Sequence, residues 1–184
     1  MKSNFNPLSA EELVFRINKI PRVQLAQLPT VLEYAPNISK ELNINLYIKR
    51  DDCTALAFGG NKTRHLEFIM AKTLSGEYDC ILTGAASQSN FCRQAVAAAN
   101  KLNLDSYLVL MHGVKGKLMQ GNFLLYNILG ANVDVVEGEN LEDIPKHLDI
   151  KYDELIKEGR KPLLIYGGFG EEDTTLAGIS YVNT

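Results

Sequence analysis

Residues 80–111 read CILTGAASQSNFCRQAVAAANKLNLDSYLVLM, and the fold turns on how they divide. Two apolar runs, CILT at 80–83 and YLVLM at 107–111, are the length of buried strands and too short for buried helices. Between them SNFCRQAVAAANKL is alanine-rich and places Phe91, Ala95, Ala98 and Leu102 on one stripe, the spacing of a helix packed along one side. A strand, a helix and a second strand, both strands apolar throughout, predict a parallel pair joined by a crossover helix.

The same rhythm extends outward. VDVV at 133–136 and LLIY at 163–166 read as further parallel strands. KLMQGNFLLYNILG is a helix ending in a glycine suited to a C-terminal cap. From about Ile144 to Glu158, Leu148, Tyr152, Leu155 and Ile156 share a helical face, and Pro145 is tolerated there because it falls in the first turn. Toward the N-terminus, INLYIK at 44–49 reads as a strand after an extended arm. From Lys62, Leu66, Ile69, Met70, Thr73 and Leu74 mark a helix face that Gly76 closes. The expected fold class is α/β, an open parallel sheet with helices on both faces.

The 184 residues are 46% hydrophobic and 22% charged with a net charge of −3, an ordinary globular composition. The basic excess of a nucleic-acid binder is absent, so no nucleic-acid partner is expected. No apolar run reaches the length of a membrane span, and Glu11, Glu12 and Arg16 interrupt any signal-peptide core, so a cytoplasmic protein with no membrane partner is expected. Cys53, Cys80 and Cys92 form no metal-ligand spacing; they fit a reducing compartment, and small buried spaces are their expected places. His65, His112 and His147 are scattered, read as structural or surface residues, and give metal catalysis no support.

Three places hold candidate chemistry. TGAASQSN at 83–90 follows a strand and precedes a helix, where small residues admit a ligand to the backbone and the helix start favours an anion. Ser87, Gln88, Ser89 and Asn90 offer hydrogen-bonding groups there, although simple capping by Ser89 or Asn90 accounts equally for the pattern. YGGFGEED at 166–173 is a second glycine-bearing turn after a strand. The third is Lys62 in FGGNKTRHLEF: a cation in the first turn of a helix is electrostatically disfavoured, so either it points to water or its neutral amine is wanted for nucleophilic chemistry. Asp51 and Asp52, beside Arg50, point to opposite sides of an extended segment and read as capping or local pairing.

In order along the chain, IKRDD, GGNKTRHLEF, GAASQSNFCRQAVAAANKL and the late GGFG turn resemble the 1-aminocyclopropane-1-carboxylate deaminase and D-cysteine desulfhydrase family of pyridoxal-phosphate enzymes. The resemblance covers the chain from about Arg22 onward and implies the tryptophan-synthase-β-like fold, fold type II. It implies that Lys62 holds pyridoxal phosphate covalently and moves protons, and that Asn90 bonds the cofactor's phenolic oxygen. Ser89 would stand beside the reacting substrate, Gln88 in the loop that receives the substrate carboxylate, and Asn61 around the lysine. The implied reaction converts a small amino acid to a 2-oxo acid and ammonia, in an enzyme that is a homodimer when full length.

Phe91 departs from the polar residue expected after QSN, which removes a side-chain contact to substrate and leaves backbone donation. The family's phosphate cup, pyridine-nitrogen partner and active-site tyrosine would lie beyond Thr184. The closing GGFGEEDTTLAGISYVNT gives a glycine turn and a short helix from about Thr174 with no capping signal and no evident packing partner. Such a helix is marginal alone. The chain is therefore expected to be an N-terminal portion, inactive by itself: residues 1–60 an arm and the start of a large domain, 61–166 a small α/β domain with four parallel strands, and 167–184 a return segment. A non-catalytic α/β binding module that keeps the fold is the alternative.

Overall fold

Helix α1 (Ala10–Ile17) opens the computed structural model, which describes residues 8–112, 118–138 and 140–182. Ser9 caps it by accepting the Glu12 N–H, and Glu11 and Glu12 lie in its first turn, where the helix dipole favours them. The arm that follows is not extended throughout. It contains strand β1 (Leu32–Tyr34), then helix α2 (Pro36–Leu42), and β1 pairs antiparallel with strand β2 (Tyr47–Lys49). The strand expected at 44–49 is thus shorter and belongs to a separate two-stranded sheet, whose Leu32, Tyr34, Tyr47 and Ile48 are exposed.

Helix α3 (Lys62–Ile69) tightens into a short 3-10 segment, Met70–Ser75. This changes the predicted face: Leu66, Ile69 and Met70 are fully buried, whereas Leu74 is exposed, because the tighter winding rotates the last turn away from the core. Residues Thr63 through Ile69 are all buried, charged ones included. The charges are satisfied by the arm. Glu67 Oε1 accepts the N–H groups of Leu25 and Ala26, each at 2.9 Å, and Arg64 Nη2 meets Asp51 Oδ1 at 2.7 Å. Asp51 and Asp52 lie in a 3-10 turn (Asp51–Cys53) and not on the extended segment expected, and Asp52 pairs locally with half-buried Arg50.

The parallel sheet comprises β3 (Cys80–Ala86), β4 (Asp105–Met111), β5 (Asn132–Val136) and β6 (Pro162–Ile165), in the order β5-β4-β3-β6. Its connections are α4 (Asn90–Lys101), α5 (Gly121–Ile128) and α6 (Ile144–Lys157). Alternation along β4 sorts the core. Leu108 and Leu110 pack with Cys92, Val96, Phe123 and Tyr126 of α4 and α5, while Val109 and Met111 pack with Ile144, Leu148 and Leu155 of α6. Each fully buried side chain of this kind contributes about 1.5–3 kcal/mol. Gly84, Ala85 and Ala86 stay in the ladder, paired with Val109, Leu110 and Met111, so the loop before α4 is shorter than the sequence indicates.

Cys80 and Cys92 fill buried positions and burial pushes both thiols up to about 12, but Cys53 is exposed and corrects the expectation for all three. The last helix, α7 (Glu171–Val182), begins earlier than Thr174 and does have a partner. It packs on α3, with Leu176 against the cluster of Leu66, Ile69 and Ile165, and with Asp173 and Ser180 buried.

Candidate active site

Lys62 is the first residue of α3, and what precedes it explains how an amine comes to be there. The chain turns sharply through Gly59, whose φ of +73° suits glycine and whose added Cβ would stand 1.8 Å from the Asp52 carbonyl oxygen. The Thr54 hydroxyl donates to the Gly60 carbonyl and accepts the Gly60 N–H, fixing the turn. Lys62 emerges half-buried on the wall of a cavity of about 310 Å3, at the lower end of the roughly 300–1,000 Å3 typical of small-molecule sites.

The cavity joins three parts of the chain: Lys62, His65 and Ile69 from α3, Phe91 from α4, and Gly167, Gly168, Asp173, Thr174 and Ala177 from the second glycine turn and α7. Gly167 has a φ of +60°, and an added Cβ there would rest 3.4 Å from the Phe91 ring, so the turn lies close to that ring. Gly168 faces open space. The Gly167 N–H donates to Asp173 Oδ2 at 2.9 Å, tying this turn to the start of α7. Burial raises the Asp173 carboxyl above its ordinary range, with the Gly167 N–H opposing.

His65 lies one helical turn after Lys62, on the same face. It is 7% exposed, Nε2 has no hydrogen-bond partner among the described residues, and its ring meets Tyr181 edge-on at 4.9 Å. Burial, with a smaller contribution from the Lys62 charge, lowers its pKa to about 4, so it is neutral at physiological pH.

The loop residues are placed differently from Lys62. Gln88, Ser89, Asn90 and Asn61 are not among the residues lining this cavity; Phe91, next in sequence, is. Ser89 caps α4, its hydroxyl accepting the Cys92 N–H at 3.3 Å. The Gln88 side chain turns away to α5, donating to the Gln120 carbonyl and accepting the Asn122 N–H. Asn90 is exposed, and its Oδ1 accepts from Asn122 Nδ2 at 2.9 Å. The Asn61 amide donates to the Tyr181 hydroxyl across to α7.

His65, Asp173, Arg93 and Asn122 were not singled out as site residues by the sequence. His65 had a readable signal in its spacing from Lys62; Arg93 and Asn122 had none, since their roles depend on how α4 and α5 meet. Among the described residues no cluster suited to a metal ion occurs.

A single lysine at a helix start, on one wall of an α/β cleft, and a glycine turn beyond the end of a parallel strand make a candidate amine-bearing ligand site of the α/β class. Residues 23–180 match the family described as pyridoxal-phosphate dependent enzyme, and the chain belongs to that family. It is 39% identical over 165 residues to a Pyrococcus horikoshii protein named as a 1-aminocyclopropane-1-carboxylate deaminase, an assignment that name marks as provisional; 89% of this chain and 50% of that protein are covered. It is 35% identical over 173 residues to D-cysteine desulfhydrase of Klebsiella pneumoniae, covering 91% of this chain and 51% of that one.

A crystal structure of an ACC deaminase homologue superposes with a TM-score of 0.82 at 38% identity, over 90% of this chain and 50% of the other. Escherichia coli diaminopropionate ammonia lyase, at 15% identity and a TM-score of 0.61, shares the fold. The chain spans about half the length of the curated relatives it matches.

The family's cofactor is pyridoxal phosphate, and the residues present fit it. Its planar ring and aldehyde need an amine with space before it and flat, weakly polar walls. Lys62, the Phe91 ring and the open face of Gly168 supply these, and the unpartnered His65 Nε2 adds a buried polar atom able to meet a polar group.

Proposed function

We propose that this chain carries the lysine and the substrate loop of a pyridoxal-phosphate-dependent deaminase or desulfhydrase, which converts a small amino acid such as D-cysteine or 1-aminocyclopropane-1-carboxylate to a 2-oxo acid and ammonia. The observation that carries the reading is Lys62 at the mouth of α3, opening on the cavity that Phe91 and the Gly167–Gly168 turn enclose. Pyridoxal phosphate, when bound, supplies the electron sink that loosens bonds at an amino acid's α-carbon.

The chain's own residues then divide the remaining work. Lys62 Nζ would hold the cofactor and, as a free amine, would carry a proton to and from the reacting carbon. Neutral His65 adds no second positive charge beside that amine. Ser89 keeps a hydroxyl hydrogen to donate while it accepts the Cys92 N–H. By the family resemblance, Asn90, beside the cavity and not among its lining residues, would meet the cofactor oxygen and the backbone around Gln88 would receive the substrate carboxylate, while Asn61 would steady the approach to Lys62 through Tyr181. Phe91 screens one wall from water.

In this reading residues 1–60 begin a large domain, 61–166 form the small one and 167–184 return toward the large, with a homodimer as the working form. The test is chemical. Pyridoxal phosphate added to the chain should give a visible absorbance band, and borohydride should trap it on Lys62, as located by peptide mass spectrometry. A trapped label on another lysine, or a band that survives Lys62→Ala, refutes the assignment. In a full-length enzyme carrying this segment, pyruvate with sulfide from D-cysteine, against 2-oxobutanoate from the cyclopropane substrate, separates the two chemistries.

A further inference from the structure

Asn122 has every polar group of its side chain engaged, and its partners leave it one orientation. Its Oδ1 accepts from Arg93 Nη1 at 3.2 Å, and a guanidinium can only donate. Its Nδ2 donates to the Gln88 carbonyl oxygen at 2.8 Å, and a carbonyl can only accept. A flipped Asn122 amide would set donor against donor at one end and acceptor against acceptor at the other. The second hydrogen on Nδ2 goes to Asn90 Oδ1 at 2.9 Å.

That contact decides the next amide in line. With Oδ1 held by Asn122, the Asn90 side chain turns its Nδ2 outward, where it has no partner among the described residues, on an exposed residue at the first position of α4. Arg93 is itself anchored at its far nitrogen, Nη2 donating to the Gly59 carbonyl at 2.9 Å in the turn that leads to Lys62. The sequence of donors therefore runs in one direction, from Arg93 to Asn122 to Asn90 and on to whatever Asn90 faces.

We infer that Arg93 and Asn122 are positioning residues that fix the polarity of Asn90, so that Asn90 presents its Nδ2 hydrogens and the ligand atom it meets is a hydrogen-bond acceptor. This rests on the reading above that Asn90 faces the bound ligand. It adds that α5, remote in sequence from Lys62, orients the amide that meets the ligand.

The experiment reads side-chain amides directly, by nitrogen-15 NMR of the whole chain. Without ligand, the Asn122 amide hydrogens should exchange with water about tenfold more slowly than those of Asn90, the protection that a net hydrogen bond or two gives. The reverse order would overturn the inference, and this comparison needs no variant. With pyridoxal phosphate added, the Asn90 Nδ2 signals should shift; with 3-deoxypyridoxal phosphate, which lacks the oxygen, they should not. Equal shifts with both also overturn it.

Asn122→Ala should reduce the preference for pyridoxal phosphate over the deoxy compound from about tenfold toward none, whereas a merely structural role would weaken both equally. If neither compound binds, the proposed site fails while the exchange comparison still decides the polarity of the amides.

Discussion

Asp51→Ala tests whether the buried ties between α3 and the arm hold the site in place. Asp51 Oδ1 accepts from Arg64 Nη2 at 2.7 Å and from Nε at 3.0 Å, with the Arg64 side chain 3% exposed and that of Asp51 18%. Removing the carboxylate leaves the guanidinium buried with the Thr30 hydroxyl as its remaining named partner. Losing one member of a buried pair costs about 3–5 kcal/mol, and because water reaches the Asp51 edge the lower end, about 3 kcal/mol, is expected. Against a total of about 5–15 kcal/mol this is a large share. At about 2–4 °C per kcal/mol for a chain of this size, the melting temperature should fall by about 6–12 °C.

Urea titration followed by circular dichroism measures the effect. The double variant Asp51→Leu with Arg64→Met should recover much of the loss, since apolar replacement of a buried pair is often neutral or stabilising. A single-variant loss below about 1 kcal/mol, or a double variant no better than the single, would show that the pair does not hold the arm. Asp52→Ala, one residue along and exposed, should leave stability nearly unchanged.

Other expectations concern the cavity. His65 has a folded pKa of about 4 against an ordinary 6.5, so the unfolded chain binds its proton first on acidification. Stability contributed at this position should be complete above pH 6.5 and decline as pH falls toward 4; His65→Phe should flatten that slope in urea titrations repeated across pH. Gly167→Ala places a Cβ at positive φ against the Phe91 ring and should cost about 1–2 kcal/mol by the same titrations, with a weaker cofactor band. Gly59→Ala cannot keep its turn beside the Asp52 carbonyl and should lower borohydride trapping at Lys62 more than Gly167→Ala does.

The sheet was legible because its strands are short apolar runs spaced by helices, a pattern that burial on both faces imposes. Its edges were less so: Gly84 to Ala86 look like loop in sequence, and only the ladder to Val109–Met111 makes them strand. Arg64, His65 and Glu67 look like the solvated side of a helix, yet all three are buried, because the arm supplies partners to Arg64 and Glu67 from far away in sequence and Tyr181 of α7 meets the His65 ring. The docking of α7 is not legible for the same reason, since a weakly amphipathic segment shows no partner until α3 presents a second buried face. The cation at a helix start drew attention to Lys62 on electrostatic grounds alone, while the destination of the Gln88 side chain, toward α5, depends on packing that spacing does not encode.

The Glu67 carboxylate, receiving the N–H groups of Leu25 and Ala26, has a consequence for the life history of the molecule. The helix that carries Lys62 is tied along its length to the arm around Leu25. A protease nick in that arm, far from the amine in sequence, would therefore silence the lysine without touching it.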